Sequence, residues 1–353
     1  MRVIYIFLMF LVVFLLDIAD GFTSSRKIEE FTLKEDIPTC FEKEIGDNAD
    51  SYLDFLNQVG VAGGILEKIL PENLKKSISD LDSKNGADLI VVHNFPVDSK
   101  IPPTPEDSKR PPSKYSCISL EECRRAKGFV SEAAILGVAH LLRAKPYYAA
   151  TEKDGTIINQ IVSLEGRKYK AQASSYGSSL ELLPHTENVY QIPPLKYFSL
   201  LCLRGDPKVA TSIIFVKDIF DALKKKYPME YKNIFKTMSK PLFIMSAGPS
   251  HDKKIAKSIL PILELGEDGD FLFRLNLNEG RTVGINKEAR KTVKILRNLI
   301  TSDWFKKNYF YKIHLNKGDY ILFNNWKVMH ARDAFEIDPK NRRWLQRCYM
   351  EKN

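Results

Sequence analysis

The stretch Gly318-Asp-Tyr-Ile-Leu-Phe-Asn-Asn-Trp-Lys-Val-Met-His330-Ala-Arg-Asp-Ala-Phe335 sets two short apolar runs, 319–323 and 328–330, on either side of a polar connector. Runs of this length and composition, divided by turn-forming residues, read as strands of a sheet. The same pattern continues outward along the chain. Strands are predicted at 87–92, 155–163, 180–185, 197–203, 211–216, 271–277 and 343–350, and helices at 132–142, 218–227 and 287–300. Two or three short helices are expected between Tyr52 and Leu74, where apolar residues recur at helical spacing. Many short strands without a strand-helix-strand period predict a mostly β chain, an antiparallel barrel or sandwich with helices appended.

The 353 residues, 44% of them hydrophobic, are enough to bury a large core without help from disulfides or structural metals. The net charge of +9 comes from 53 basic against 44 acidic residues, a modest excess on a highly charged surface, so no nucleic-acid partner is implied. The densest basic run, Lys224-Lys225-Lys226, falls within an amphipathic helical pattern and reads as a solvated face. At the N terminus, Arg2 precedes an apolar run from Val3 to Leu16 and then Ala19 and Gly21, the pattern of a secretory signal peptide over residues 1–21. That run is shorter than the roughly twenty residues needed to cross a bilayer, so no stable membrane span is expected; an uncleaved N-terminal anchor is the alternative. Residues 22–48 are polar and lack an apolar period, which predicts a poorly ordered leader ahead of a single domain over 49–353. Among the five cysteines, Cys202 and Cys348 lie in apolar runs and read as small buried hydrophobes. Cys117 with Cys123, or either with Cys40, remain the candidates for a bridge.

His185-Thr186-Glu187 closes the run at 180–185. Alternate side chains of a strand share a face, so this imidazole and carboxylate project together and can reach one ion. An HxE triplet by itself carries little information in a chain with six histidines. His330, from a distant strand, would complete a set of two histidines and one carboxylate, which leaves adjacent coordination positions open for oxygen chemistry on iron(II). In the strand that begins at Arg343, the residues Arg343, Leu345, Arg347 and Tyr349 alternate onto one face. Pointed inward, both guanidinium groups demand anions, and a forked permanent cation is the group that binds a carboxylate bidentately. The opposite phase, with Trp344, Gln346 and Cys348 inside and the arginines in solvent, satisfies the same alternation.

These residues resemble the clavaminate synthase-like branch of the TauD/TfdA family, the Fe(II)- and 2-oxoglutarate-dependent dioxygenases that include clavaminate synthase and the arginine and asparagine β-hydroxylases. Leu180-Glu-Leu-Leu-Pro-His-Thr-Glu-Asn188 resembles the proximal metal motif, HxE in this branch, and Leu200-Leu-Cys-Leu-Arg204 with Val209-Ala-Thr-Ser212 resembles the strand pair that follows it. Phe95-Pro-Val-Asp98 with Ile101-Pro-Pro-Thr-Pro105 resembles the amino-terminal signature, and His330-Ala-Arg-Asp-Ala-Phe335 the HGRxxF segment, with Ala331 in place of the glycine. The likeness runs from about Ala87 to Tyr349 in the family's order.

The resemblance implies a double-stranded β-helix, that is, a jelly-roll or cupin-like core, with His185, Glu187 and His330 as metal ligands. It implies iron(II), 2-oxoglutarate and O2 as cofactor and co-substrates, with Thr211 and Arg343 on the 2-oxoglutarate carboxylate and Arg347 near co-substrate or substrate. Ser175 and Gln172 fall where relatives contact the substrate, and Asn276 and Asn278 where arginine hydroxylases present aspartates to a guanidinium group. Being neutral, these asparagines argue against a cationic substrate. The insert at about 218–250 falls where family members carry a lid. The implied reaction is hydroxylation of an unactivated C–H bond of an amino acid or related small molecule, with release of succinate and CO2. A secreted jelly-roll binding protein without turnover and a divalent-metal hydrolase with the same three ligands are the readings from other classes.

Overall fold

A computed structural model of the chain describes residues 27–46, 59–81, 83, 86–101, 104, 130–147, 157–162, 178–248, 257–265, 271–338 and 342–352. The expected signal peptide at 1–21, Cys117, Cys123, Gln172 and Ser175 lie outside the described residues. In chain order the elements are β1 (Ile28–Thr32), α1 (Asp36–Gly46), α2 (Val59–Ile69), α3 (Glu72–Ser79), β2 (Leu89–His93), α4 (Val130–Leu141), β3 (Ala144–Tyr147), β4 (Ile158–Val162), β5 (Leu182–His185), β6 (Tyr197–Arg204) and β7 (Thr211–Phe215). There follow α5 (Val216–Lys226), α6 (Tyr231–Met238), β8 (Phe243–Ser246), β9 (Lys257–Leu260), β10 (Leu263–Leu265), β11 (Phe271–Phe273), β12 (Thr282–Gly284), α7 (Lys287–Ile300), α8 (Asp303–Tyr309), β13 (Tyr311–Ile313), β14 (Tyr320–Asn324), β15 (Val328–Arg332) and β16 (Trp344–Lys352).

Two sheets carry the architecture. The larger runs β1-β2-β14-β6-β16-β3 with β4 also paired to β16, and the smaller runs β13-β7-β15-β5. Among the described residues no strand pairing joins them, so the jelly-roll is an open sandwich rather than a closed barrel. The period of two then sorts side chains into layers. On β14, Tyr320 and Leu322 join a core with α1 to α4, whereas Ile321 and Phe323 turn to the other face of the same sheet. That inner face meets Ile213, Phe215 and Val328 of the smaller sheet, and the resulting inter-sheet core is where the ligand-type residues lie. Ile214 and Met329, the alternate residues of β7 and β15, pack outward against α5, α6 and α7.

The N-terminal segment corrects the sequence reading. Residues 28–32 pair in register with Leu89–His93 as a parallel strand of the larger sheet, and α1 buries Phe41 and Ile45 completely. Burial of one phenylalanine contributes about 1.5–3 kcal/mol, enough with the strand pairing to hold a segment that looks polar on average. The missed signal is Ile37, Phe41 and Ile45, spaced four apart among charged residues as one helical stripe.

The insert differs from expectation as well. Helices α5 and α6 bury their apolar faces in the outer core of the smaller sheet, and none of their residues lines the inter-sheet cavity, so they are packing helices rather than a lid. Cys202 and Cys348 are fully buried, as their apolar surroundings predict, and Lys224 to Lys226 are exposed. No helix among the described residues is long and apolar enough to cross a membrane.

Candidate metal centre

Strand pairing assembles the first ligands. His185 ends β5 and is the direct cross-strand partner of His330 on β15, which brings the imidazole centroids within 4.2 Å. Glu187, one step beyond Thr186, returns to the same face. Its Oε1 lies 3.7 Å from His185 Nε2 and 3.5 Å from His330 Nε2, and the ligand atoms of the three residues all fall within 4.8 Å of one another. His185 Nδ1 lies 2.8 Å from the Leu183 carbonyl. A carbonyl can only accept, so Nδ1 carries the hydrogen and Nε2 presents a bare lone pair towards the other two ligands.

The backbone around the triplet is held from both sides. The Glu187 amide donates to Asn325 Oδ1 at 2.8 Å, and Asn325 Nδ2 donates back to the Glu187 and Leu195 carbonyls. Because Asn325 sits in the turn that carries the chain from β14 of the larger sheet to β15 of the smaller, it ties the HxE triplet to the strand of the third ligand. Tyr349 Oη donates to Glu187 Oε2 at 3.3 Å.

Electrostatics put this group in the state a divalent cation needs. Burial pushes the Glu187 carboxyl upward, but the charge of Arg347 and the contacts with His185 and His330 outweigh it and hold the acid well below the usual carboxylate range. His330 is pushed down to about 4 by burial first and then by the nearby His185, so it is a neutral imidazole near pH 7. Two imidazole nitrogens and an ionised carboxylate on three residues, all buried or nearly so, match the donor set of a mononuclear non-haem iron(II) site.

Behind the triangle lies a wall of arginines. Arg343, Arg347 and Arg332 all line the same cavity as Glu187 and His330. This settles the phase of β16: Arg343, Leu345 and Arg347 face the inter-sheet space, while Cys348 and Met350 join the core under α4. Arg343 is buried and its Nη2 donates to Thr211 Oγ1 at 3.0 Å, so the two residues expected to share one carboxylate stand side by side. Arg347 is nearer the triangle, with Nη1 3.6 Å from Glu187 Oε1, its Nη2 on Asn159 Oδ1 at 3.1 Å and its guanidinium 4.6 Å from the Tyr349 ring centre. Ile161, Phe198, Leu200 and Leu345 make the remaining wall apolar.

Neither Arg332, the arginine of the HGRxxF-like segment, nor Asn325 is assigned a role by the sequence alone. A signal existed for Arg332, which stands two residues after His330 in the same strand and therefore shares its face. Burial, followed by repulsion from Arg343, lowers its pKa to about 9, and its Nη2 donates to the Leu180 carbonyl at 3.0 Å. No local pattern marks Asn325, whose partners are more than a hundred residues away.

Of the expected substrate residues, Asn276 stands opposite His185 in an isolated bridge. Asn278 contradicts its assignment. Its Oδ1 accepts from the Leu183 amide at 3.0 Å, and its Nδ2 donates to the Leu183 carbonyl at 3.3 Å and to Asn276 Oδ1 at 2.9 Å. Both amide hydrogens are consumed by the protein and the residue is 3% exposed, so it has no donor to offer a substrate.

Comparison with known proteins agrees with this geometry. Enduracididine beta-hydroxylase of Streptomyces hygroscopicus is 23% identical over 302 residues, which cover 80% of this chain and 82% of that one. L-asparagine oxygenase of Streptomyces coelicolor is 26% identical over 293 residues, covering 79% and 76%. The fold is shared with asparagine oxygenase solved with Fe(II), 2S,3S-3-hydroxyasparagine and succinate (TM-score 0.67, 22% identity, 92% of this chain and 93% of that one). It is shared equally with the non-heme iron oxygenase OrfP solved with Fe and alpha-ketoglutaric acid (TM-score 0.68, 18% identity, 92% and 94%). Residues 127–349, which hold every ligand-type and arginine residue of the site, match the family described as taurine catabolism dioxygenase TauD, TfdA family, and the chain belongs to it.

Proposed function

We propose that this protein is an Fe(II)- and 2-oxoglutarate-dependent oxygenase that hydroxylates an unactivated C–H bond of an amino acid or a close derivative. The observation that carries this reading is the buried His185-Glu187-His330 triangle with the Arg343–Thr211 pair behind it in one cavity. Iron(II) would be held by His185 Nε2, Glu187 and His330 Nε2. When bound together with 2-oxoglutarate and O2, it supplies the oxidising chemistry, in which the keto acid leaves as succinate and CO2 and one oxygen atom enters the substrate.

The chain's own residues do the rest. Arg343 and the Thr211 hydroxyl receive the far carboxylate of 2-oxoglutarate, a bidentate ion pair in a water-poor site where such contacts are strong. Arg347 neutralises Glu187 from one side and Tyr349 fixes its second oxygen, so the carboxylate keeps one orientation. Phe198, Leu200 and Leu345 exclude water from the reacting centre.

The substrate is a neutral or acidic amino acid rather than a cationic one. Supporting this, the cavity among the described residues is lined by three arginines and by Glu187 as its only acid, and Asn276, opposite His185, is uncharged. Asn276, Ser175 and Gln172 are the proposed substrate contacts. The apolar run from Val3 to Leu16 supports a cleaved signal peptide and passage through the secretory pathway, which mass determination of the mature N terminus tests directly.

Activity is tested with purified protein, iron(II), ascorbate and 2-oxoglutarate. Slow succinate formation is expected without substrate, with stimulation by the correct amino acid. A binding protein or a hydrolase would form none. Glu187→Ala is expected to abolish succinate formation while leaving the fold intact, and unchanged turnover in that variant would refute the ligand assignment.

A further inference from the structure

The segment 274–278 adds itself to the free edge of β5 as an antiparallel ladder. Thr186 donates to the Leu275 carbonyl, His185 bridges Asn276, and Leu277 donates to the Pro184 carbonyl. In this register Asn278 stands opposite Leu183, at a pair where an antiparallel ladder forms no backbone hydrogen bond between the two residues. The Asn278 amide donates to Asn276 Oδ1 at 3.0 Å, an Asx turn that leads the chain away from β5, and Gly280, at φ +69, continues the reversal. The side-chain amide of Asn278 makes the connection that the ladder does not, accepting from the Leu183 amide and donating to its carbonyl.

That carbonyl is the one that accepts from His185 Nδ1. From this geometry we infer that Asn278 is a positioning residue for His185: by holding the Leu183 N–H and C=O, one on each side of its Cα, it fixes the acceptor that sets the imidazole's tautomer and ring orientation. It touches neither substrate nor ion. The inference rests on His185 being a metal ligand. Groups one step beyond a ligand that fix a histidine in this way change metal affinity by about 10–100-fold when removed.

Carbon at this position distinguishes the roles. Asn278→Ala removes both bonds to Leu183, whereas Asn278→Asp keeps size and the acceptor for the Leu183 amide but loses the donor to its carbonyl. Each variant is titrated with Mn(II) as a redox-inert probe, beside wild type and His185→Ala, and the His185 tautomer is read by 15N NMR of histidine-labelled apo protein. The expected result is an about 10–100-fold weaker Mn(II) affinity for both variants, since Asn278→Asp sets a carboxylate oxygen against the Leu183 carbonyl where an amide donor stood. Both should raise the fraction of His185 that carries its hydrogen on Nε2. A tautomer change is something that loosened packing alone would not produce, and Asn278→Asp keeps the test decisive should the alanine variant not fold. Affinity and tautomer both unchanged in the Asn278 variants, while His185→Ala loses Mn(II), would overturn the inference and leave the ligand assignment standing. If His185→Ala instead binds Mn(II) as wild type does, the ligand assignment fails and this inference with it.

Discussion

Replacing Arg343 by methionine separates the cost of a buried cation from its use. Arg343 is 8% exposed, and burial lowers its basicity, partly offset by the negative charge of Asp206. In the apo protein this cation is held at a desolvation penalty of several kcal/mol per ion before compensation. Methionine fills a similar volume without a charge, so the apo variant is expected to unfold within about 1 kcal/mol of wild type, the lost hydrogen bond to Thr211 being offset by the relieved desolvation. Binding behaves oppositely. Loss of a buried, forked ion pair to a carboxylate costs about 3 kcal/mol within a range of 2 to 5, which is about two orders of magnitude in the dissociation constant of 2-oxoglutarate. Urea denaturation of the apo form measures the first quantity, and calorimetric titration of 2-oxoglutarate into the Mn(II)-loaded protein the second. Arg343→Lys, which keeps the charge and loses the fork, should fall between the two. If Arg343→Met binds 2-oxoglutarate within threefold of wild type, the keto-acid carboxylate is not held there and the orientation proposed for the cavity is wrong.

Two further changes probe the frame around the site. Asp98, from the amino-terminal signature, accepts from the amides of Val130 and Ser131 and from the Ser131 hydroxyl, thereby capping α4 from another part of the chain; Asp98→Ala should cost about 1–2 kcal/mol in urea denaturation and lower hydrogen-exchange protection in the first turn of that helix. His93 links Glu30 of β1 to Asp319 beside β14, each at 2.7 Å, and although burial lowers its pKa, the hydrogen bonds to Asp319 and Glu30 raise it above the ordinary 6.5. A raised histidine stabilises the fold fully below its unfolded pKa and loses that contribution as pH rises through the folded value, so stability should decline above about pH 6.5 and this component should vanish in His93→Gln. A pH-stability profile that His93→Gln leaves unaltered would remove the bridge from the account.

Much of the site is legible locally because its signals are periodic. The HxE triplet and the arginines four apart, one just before β16 and one on it, need only the alternation of a strand to be placed on common faces, and apolar runs such as Tyr197–Arg204 mark strands buried on both sides. The N-terminal segment escapes local reading for the converse reason, since the apolar stripe of Ile37, Phe41 and Ile45 is diluted by charges and gains its meaning only once α2 and α4 lie against it.

By itself, the order of residues determined which side chains are available for chemistry: two histidines, a glutamate and two arginines on short strands, in the arrangement of one family. Which way those strands turned was decided by the tertiary structure. The alternation of β16 allowed either phase, and only the presence of the smaller sheet opposite made the face of Arg343 and Arg347 the interior one. Asn278 likewise offers the same amide to a substrate or to a peptide, and the register of the 274–278 segment against β5 committed it to Leu183. Hydrogen bonds and burial between segments some ninety residues apart are set by packing, which no local spacing encodes.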